Sequence, residues 1–480
     1  MSPAAATPPE KAQSALPHLM LAIGAAACML LLFIAPLKFG VVEIEKTELA
    51  MRAPHTTLEW LIFTYPNTYA FKPLLAIAVL TGLAMLLGAA PERRSAAAMS
   101  AGCGWVFLTM GIAVADKRLL DGTVSEWAHN PIKIQFVLYG TFFIAAVLFL
   151  ARRTCREAAI IALITSCVLV SAEAVRQHYG GLEDMRREAA RQAGCTNSLG
   201  VVQYTSFTNS LASSGNPNKH LMLTKLSGSR VFGTFVYPNS LGGFLLIMLP
   251  LCVGFCAGIR TPLARVLAGM GIASASAALL FSRSKASIVL AALGVLMLLA
   301  LAAKAGQLAK KTFVGVSLAV VLVMAAMLAW GYGGGLGTRL KATGDARMDY
   351  WRAAAGMIAK KPVIGWGSGS YGRHYYAFAP KGAESTHLAH NAFLNLWVDY
   401  GVMGCAGCLL ALGVPAIAGM CRAARPAGFN WCTAACAVAG SCFVLHNLVD
   451  FDVHIIGIVL PGLFALAAGS AGAPPDHASV

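Results

Sequence analysis

Long apolar runs constrain this chain more than any other feature of its sequence. They fall at roughly residues 18–37, 73–89, 96–115, 134–150, 158–174, 240–258, 266–282, 286–303, 312–332, 392–416, 431–449 and 453–470. A helix needs about 20 apolar residues to cross a bilayer, and a backbone in lipid must satisfy its hydrogen bonds internally. Charged residues make up only 12% of the sequence, against roughly 25% in soluble domains. The sequence therefore predicts an all-α integral membrane protein with about twelve transmembrane helices.

Basic residues cluster at the short connections between these runs. The formal net charge is +16, and the clusters occur at 91–95, 151–156, 259–265, 304–311 and 421–426. With twelve helices, all five clusters and both termini fall on one side, which the positive-inside rule assigns to the cytoplasm. The charge is therefore interpreted as a topology signal, and no basic stripe with interleaved aromatic residues indicates nucleic-acid binding. The predicted organisation is a cytoplasmic tail at 1–17, helices 1–9 at 18–332, a large extracytoplasmic loop with short amphipathic helices at 333–391, helices 10–12 at 392–470 and a cytoplasmic tail at 471–480.

Four long connections lie on the opposite, extracytoplasmic face. They cover roughly 38–72, 116–133, 175–239 and 333–391, and loops longer than about 15 residues are usually functional or disordered. The last of them, between the ninth and tenth helices, is the best candidate for a functional site. Soluble nucleotide cofactors such as ATP or NAD are not readily supplied on that face. The part at 175–229 is compatible with a lid, an acceptor site or a tether.

The segment THLAHNAFLNLWVDYG at 386–401 begins with polar residues and continues as a membrane helix. Asn391, Asn395 and Asp399 are four residues apart, so they share one helix face that should point into the bundle or a wet cavity. His390 would lie at the water boundary, where a histidine is a plausible general base. The alternative is an N-terminal capping arrangement with an interfacial histidine.

Two further segments place basic residues at helix ends on this face. FSRSKAS at 281–287 carries Arg283 and Lys285 in a tight connection. An arginine there suits a bidentate phosphate contact, and a snorkelling pair at the interface is the alternative. SRVFGTFVYPNSLGGFLL at 229–246 carries Arg230 ahead of a membrane helix. Ordinary turn chemistry at the start of a helix is the alternative for this segment.

The segment RMDYWRAAAGMIAKKPVIGWGSGSYG at 347–372 predicts an amphipathic surface helix that stops at Pro362. The GSGSYG at its end fits a dinucleotide-binding pattern formally, but it lacks a preceding strand in a βαβ unit. A backbone turn or an anion-binding nest is favoured instead. HNLVDFDVHIIG at 446–457 could hold a metal ion, although the spacing typical of zinc sites is absent. Its polar candidates are His446, Asp450, Asp452 and His454.

Taken together, these segments resemble, in content and order, the O-antigen ligase/polymerase family of bacterial membrane glycosyltransferases. RVFGTFVYPN resembles the family's Arg…Gly-Thr-Phe…Pro-Asn segment, SRSKAS its Ser-Arg connection, and RMDYWRAAAGMIAKKPVIGWGSGSY its Arg…Trp-Arg…Pro…Gly-x-Gly stretch. HNAFLNLWVDYGVMG fits the ligases' pattern of His-Asn, nine residues and Gly-x-x-Gly, and LVDFDVHI resembles a common C-terminal segment. The resemblance covers roughly residues 225–460. It implies a GT-C-like fold in the bacterial inner membrane, with the active site facing the periplasm.

The resemblance implies transfer of a glycan from polyprenyl (undecaprenyl) diphosphate to an acceptor hydroxyl. Arg283 and Arg347, which match the family's two key arginines, would bind the diphosphate and stabilise the charge of the leaving group. His390 would accept the proton of the acceptor hydroxyl. The reaction would invert the anomeric carbon without a metal or a nucleotide cofactor, and its partners would be the lipid-linked donor, a saccharide or lipid-linked glycan acceptor and membrane lipids. Further candidates for substrate binding are Arg230, Lys285, Arg352, Asn391, Asn395 and His387.

Two alternatives stay open at the level of sequence. A ligase and a polymerase of this family differ in their acceptor, which is a lipid A core saccharide or another lipid-linked glycan, and the His-Asn pattern favours the ligase. A transporter of a small solute such as bicarbonate is the less favoured alternative. Transporters of that kind contain inverted repeats and broken helices near the bilayer midplane, whereas this sequence has no internal symmetry and its polar residues gather at one face.

Overall fold

Helices form the regular structure of this protein wherever its chain is described. The structure is a computed structural model that describes residues 15–41, 64–65, 68–87, 96–115, 131–150, 152–192, 228–235, 237–332 and 336–471. All regular secondary structure within these ranges is helical, as the apolar runs predicted. Most of each expected connection at 38–72, 116–133 and 175–229 and most of the two tails lie outside the described residues.

The helices begin and end close to the apolar runs. The α-helices of the described residues are α1 Ala15–Lys38, α2 Thr68–Leu86, α3 Ala96–Ala115, α4 Pro131–Phe149, α5 Arg153–Arg176, α6 Leu182–Gln192, α7 Pro238–Gly258, α8 Pro262–Ser282, α9 Lys285–Lys304, α10 Lys310–Tyr332, α11 Leu336–Lys360, α12 Ser370–Phe378, α13 Ala392–Cys408, α14 Val414–Ala423, α15 Trp431–His446 and α16 Ile456–Ala471. Single π-helical turns join α5 to α6 at Gln177–Gly181 and α13 to α14 at Leu409–Gly413. A 3-10 turn at Asp452–His454 precedes α16.

Eight helical stretches of the described residues are at least 18 residues long and apolar enough to cross a membrane. Four further apolar helices are shorter, and they lie at Ser100–Ala115, Gln135–Phe149, Trp431–His446 and Ile456–Ser470. A helix that crosses the hydrocarbon without thinning it needs about 20 residues. The chain therefore has the helices of a multi-pass membrane protein, while the count of twelve crossings and the placement of the loop relative to the membrane stay predictions.

The central helix of the bundle is α7. It packs against α8, α9 and α15, and α15 packs in turn against α16. Small residues let membrane helices approach closely, and a Cβ at Gly254 of α7 would overlap the Cβ of Ala435 on α15. By contrast, α10 lies at the periphery, because none of the residues in its apolar window is buried. Such a helix exposes apolar side chains around its circumference, as a lipid-facing helix does.

The turn between α8 and α9, at 283–284, lies at the end of the bundle opposite two basic clusters, 259–265 and 304–311, because helices joined by tight turns run in opposite directions. The start of α15 contacts the end of α7, which places the third basic cluster, 421–426, at the basic end as well. The loop after α15, at 447–455, therefore lies at the same end as the α8–α9 turn.

The segment expected to be a large loop contains α11 and α12. The longer of them, α11, has 25 residues and ends at Lys360. It starts earlier than the amphipathic pattern predicted, and it stops just before Pro362 as expected. The following loop docks on α13, where the Val402 N–H donates to the Pro362 carbonyl at 3.0 Å and the Gly367 N–H donates to the Asp399 carbonyl at 2.9 Å.

A break in α13 at Gly401 makes this docking possible. Gly401 has φ 66° and ψ −166°, a backbone region that is open essentially only to glycine. A Cβ at this position would also overlap the carbonyl oxygen of Val363. The first glycine of the Gly-x-x-Gly pattern is therefore required by backbone geometry.

Gly401→Ala is expected to lower the free energy of unfolding by about 1–3 kcal/mol from the backbone conformation alone, with a further loss from the overlap at Val363. The measurement is denaturant unfolding of the purified protein in detergent. Gly413→Ala is the matched control, since Gly413 has a helical φ of −70° and no atom within 4 Å of the position that a Cβ would take. Equal stability of the two variants would contradict this account.

Candidate functional site

Two of the three predicted catalytic residues have an unusual backbone conformation. Arg283 has φ 51° and His390 has φ 47°, and they are the only non-glycine residues with positive φ in the described part of the chain. This left-handed conformation costs about 1–2 kcal/mol per residue. Strained residues of this kind persist where the surrounding structure over-determines them, and they cluster at functional sites. The backbone thus marks these two positions independently of any sequence pattern.

Arg283 lies in the turn between α8 and α9, and Arg230 braces that turn. The Arg230 Nε donates to the carbonyl of Ser282 at 2.8 Å, and its Nη2 donates to Asn239 Oδ1 at 2.7 Å. The carbonyl of Ser282 belongs to the last turn of α8, whose acceptors lack helical partners. Arg230 therefore holds the end of α8, directly before Arg283.

The Arg283 side chain leaves the turn half-buried. Its Nη1 donates to Ser229 Oγ at 3.3 Å, and its guanidinium carbon lies 5.6 Å from the centre of the Trp330 ring. Lys285, also half-buried, is the first residue of α9. The N-terminus of a helix carries positive potential and favours anions. Two cationic side chains and a helix N-terminus thus meet in this turn.

His390 precedes α13 and is held by a carboxylate and two aromatic rings. Its Nδ1 lies 3.3 Å from Asp450 Oδ1, and the side chain of Asp450 is 1% exposed whereas that of His390 is 26% exposed. The Tyr350 ring of α11 stacks on the imidazole at 5.4 Å between centroids, and the Phe451 ring meets it edge-on at 4.8 Å. The imidazole is therefore fixed in orientation but remains accessible from one side.

The surroundings of Asp450 keep its carboxylate charged. Burial raises the pKa of the Asp450 carboxyl, but the hydrogen bond from His390 and the positive charges of His390, His446 and Arg347 outweigh burial and lower that pKa to about 2. A carboxylate at Nδ1 selects the imidazole tautomer that has its proton on Nδ1. The other nitrogen, Nε2, is then the one that can accept a proton.

Arg347 lies on α11, one helical turn before Tyr350. Its positive charge acts on both Asp450 and His446, which are contributed by the loop at 447–455 and the end of α15. Arg347 is half-buried. The fold thus brings the second predicted arginine to the same loop that holds the predicted base.

Backbone hydrogen bonds fasten this loop to the start of α13. The N–H of Ala392 lies 2.8 Å from the carbonyl of Asn447 and 3.1 Å from that of Asp450. The Asn447 side chain accepts from the N–H of Val453 at 3.0 Å. The spacing between His390 and Asp450 is therefore set by backbone contacts on both sides of the pair.

The polar face of α13 holds backbone rather than lining an open cavity. Asn391 is the N-cap and accepts from the Leu394 N–H at 3.0 Å, which matches the capping alternative for this residue. Asn395 is 1% exposed; it accepts from the Ala389 N–H at 3.1 Å and donates to Asp399 Oδ2 at 3.1 Å. Both asparagines therefore stabilise the backbone on either side of His390.

Asp399 occupies the glycine-rich loop. Its Oδ1 accepts from the Tyr371 N–H at 3.1 Å, and the N–H groups of Gly369 and Ser370 also bond to this carboxylate. Backbone N–H groups of the loop thus converge on one acceptor group. That group is the carboxyl of Asp399, so the GSGSYG segment anchors α12 to α13.

Two predicted binding residues lie away from this group. Arg352 is 65% exposed and pairs with Asp349 at 3.1 Å on its own helix. His387 is exposed and packs beside Gly372. The contacts of the described residues do not join either side chain to the His390–Asp450 pair.

A second histidine–aspartate pair was not foreseen as a pair. His446 Nδ1 lies 2.6 Å from Asp452 Oδ2, and His446 Nε2 lies 3.1 Å from Ser287 Oγ. The sequence showed His446 and Asp452 as possible metal ligands, yet nothing local connects them to Ser287, 159 residues before His446. Within the described residues, no group of three or more His, Cys, Asp or Glu side chains could hold a metal ion.

Comparison with known proteins identifies one segment of the chain. Residues 268–409 match the family model described as O-antigen ligase. This segment includes Arg283, Arg347 and His390, and it ends before the loop at 447–455. No curated protein matches the chain.

Proposed function

We propose that this protein transfers a glycan from a polyprenyl diphosphate to an acceptor hydroxyl, because its residues 268–409 match the family model described as O-antigen ligase, and membrane glycosyltransferases make up that family. The acceptor in this proposal is a saccharide of the lipid A core type, since the His-Asn and Gly-x-x-Gly pattern is that of the ligases. The proposed site is the group formed by Arg283, Arg347, His390 and Asp450.

The observation that carries the proposal is the convergence of these residues on the loop at 447–455. Asp450 of that loop contacts His390, and the charge of Arg347 acts on Asp450. His446, at the end of the preceding helix, contacts Ser287 in the first turn of α9, four residues after Arg283. The proton acceptor His390 and the two permanent cations, Arg283 and Arg347, thus lie along one rim of the bundle.

The proposed chemistry uses this arrangement in one step. His390 Nε2 accepts the proton of the acceptor hydroxyl as its oxygen attacks the anomeric carbon from the face opposite the diphosphate. A new glycosidic C–O bond forms, and the bond from the anomeric carbon to the diphosphate oxygen breaks. The electron pair leaves with the diphosphate, and the configuration at the anomeric carbon inverts.

The remaining residues divide between charge and geometry. Arg283 and Arg347 stabilise the negative charge that develops on the leaving diphosphate, where pre-arranged cations are most effective. Lys285 and the N-terminus of α9 add to the positive potential around Arg283. Arg230 would act on the diphosphate mainly through the turn that it braces. Asp450 stabilises the imidazolium that forms on His390.

A reconstituted transfer assay tests the proposal. Purified protein in liposomes would be incubated with a lipid-linked oligosaccharide and either a lipid A core acceptor or a second lipid-linked glycan, in the presence of EDTA. We expect transfer to the core acceptor. Transfer to the lipid-linked glycan alone would support the polymerase instead. Solute movement without transfer to either acceptor would overturn the glycosyltransferase proposal.

A further inference from the structure

A buried chain of hydrogen bonds ends beside Arg283. Asp452 Oδ2 lies 2.6 Å from His446 Nδ1, His446 Nε2 lies 3.1 Å from Ser287 Oγ, and Ser287 Oγ lies 2.8 Å from Ser284 Oγ. All four residues are at most 2% exposed. This series of hydrogen bonds starts in the 447–455 loop, passes through the end of α15 and reaches the first turn of α9.

The order aspartate, histidine and serine is that of a hydrolytic triad, but burial excludes a hydrolytic role for these hydrogen-bonded residues. Ser287 is 0% exposed, so no substrate can reach its hydroxyl. Its oxygen is also shared between His446 and Ser284. Hydrogen bonds are strong in such a buried, low-dielectric setting, so this network couples the elements that it joins.

This network joins the loop at 447–455 to the turn that contains Arg283. Ser284 is the N-cap of α9, yet its side chain makes no capping hydrogen bond, although serine is favoured at N-caps because it usually makes one. The hydroxyl instead bonds to Ser287. On the other side of Arg283, the Ser282 hydroxyl donates to the carbonyl of Leu279 at 2.8 Å. Both neighbours of Arg283 are thus tied down by buried hydroxyls.

Two glycines of α7 make room for the chain. A Cβ at Gly242 would overlap Ser287 Oγ, and a Cβ at Gly243 would lie 2.6 Å from Asp452 Oδ1. The central helix, α7, therefore has no side chains at the two points where the hydrogen-bonded residues pack against it. The SLGG sequence at 240–243 accounts for that surface.

We infer that Ser287, His446 and Asp452 are positioning residues, which hold the Arg283 turn in its left-handed conformation and so align the guanidinium with the diphosphate of the donor. This inference rests on the proposed function. Asp452 lies two residues after Asp450, so a single loop sets both the orientation of the base and that of Arg283. None of these three residues touches the substrate in this account.

The test combines donor binding with kinetics. Ser287→Ala, which removes one hydroxyl, and Asp452→Asn, which keeps the side-chain size, would be compared with wild type. Affinity for undecaprenyl diphosphate would be measured directly in detergent, and KM for donor and acceptor would be measured separately. We expect each variant to weaken diphosphate binding and raise the donor KM about tenfold, with the acceptor KM unchanged. Ser441→Ala is the matched control, because the Ser441 hydroxyl donates only within α15, to the Ala437 carbonyl at 2.8 Å.

A double variant separates positioning from general weakening of the fold. In an Arg283→Ala background, Ser287→Ala should cause no further loss of diphosphate affinity, because residues that act through one another are not additive. Wild-type affinity in the Ser287→Ala and Asp452→Asn variants, or additive losses in the double variant, would overturn the inference. Wild-type protein that binds the diphosphate lipid but transfers no glycan would overturn the proposed function and leave the positioning result standing.

Discussion

His390→Ala is expected to lower kcat for glycan transfer by about 10²–10⁴-fold, the usual contribution of a general base. The expectation rests on the geometry around the imidazole. Asp450 occupies Nδ1 at 3.3 Å, and Tyr350 and Phe451 fix the plane of the ring. An alanine would leave the acceptor hydroxyl without a proton acceptor, while binding of the lipid-linked donor should persist because the arginines remain.

The two measurements are the rate of glycan transfer in a single turnover with saturating donor and the affinity of the protein for the donor. His374→Ala is the control, since His374 lies in the same segment between α10 and α13 and its Nδ1 contacts the carbonyl of Ser370 at 3.0 Å, away from the His390–Asp450 pair. Transfer by His390→Ala at the wild-type rate would remove the base from the mechanism. Loss of donor binding in that variant would show instead that His390 belongs to the diphosphate site.

Asp450→Asn should reproduce part of this loss through the orientation of His390. The pKa of Asp450 is depressed to about 2, so its carboxylate stays ionised throughout an assay between pH 5 and 8. A depressed pKa contributes stability that is present above the unfolded-state value near 3.8 and is lost as the pH falls towards 2. Any change of the transfer rate between pH 5 and 8 is therefore caused by the titration of a group other than Asp450. The Asp450→Asn variant should keep a measurable kcat that is lower than that of the wild type.

The second large effect is expected at the two arginines. Arg283→Ala and Arg347→Ala should each lower kcat/KM for the donor by about 10²–10³-fold, the range found when one pre-arranged donor to a developing negative charge is removed. Lysine variants should recover only part of that loss, because an ammonium lacks the planar, bidentate fork of a guanidinium. The two arginines lie on different elements, α11 and the α8–α9 turn, so their contributions can be measured separately.

Steady-state transfer with varied donor concentration measures this effect. Arg260→Ala is the control, because Arg260 is exposed at the opposite, basic end of the bundle and its loss changes the net charge equally. If all three alanine variants lost the same fraction of activity, the effect would be one of overall charge. A loss confined to Arg283→Ala and Arg347→Ala would support two diphosphate contacts.

Local patterns were sufficient where the physics is local. The twelve apolar runs predicted the helical segments, since a segment of that length that crosses lipid can satisfy all of its backbone hydrogen bonds within itself only as a helix. Pro362 predicted where α11 stops, because proline cannot continue the hydrogen-bond ladder. The capping alternative for Asn391 depended on a residue three positions away, and the structure has that hydrogen bond. The motif order predicted a resemblance to the O-antigen ligase family, and the match of residues 268–409 to that family's model supports it.

Long-range pairs were beyond such patterns. Local chemistry marked His390 and Arg283 as candidates, whereas the role of Arg347 came only from the resemblance, and no partner for Asp450 or His454 followed from the sequence. Arg352 lies five residues after Arg347, so helix geometry alone places the two side chains on different faces of α11. Which of these faces meets the loop at 447–455 is decided by packing between helices, which a one-dimensional pattern does not encode.

The sequence by itself determined that the chain forms apolar helices, that its basic connections segregate at one end, and which residues carry charge or titrate at the other. Those properties follow from composition and from helix geometry within about one turn. Only the tertiary structure decided that Asp450 holds His390, that Asp399 fills the glycine-rich loop, and that Asp452 and His446 reach Ser287 beside Arg283. These contacts join residues far apart in the chain. They form because packing brings the start of α13 to the loop at 447–455 and brings α9 and α15 together around α7.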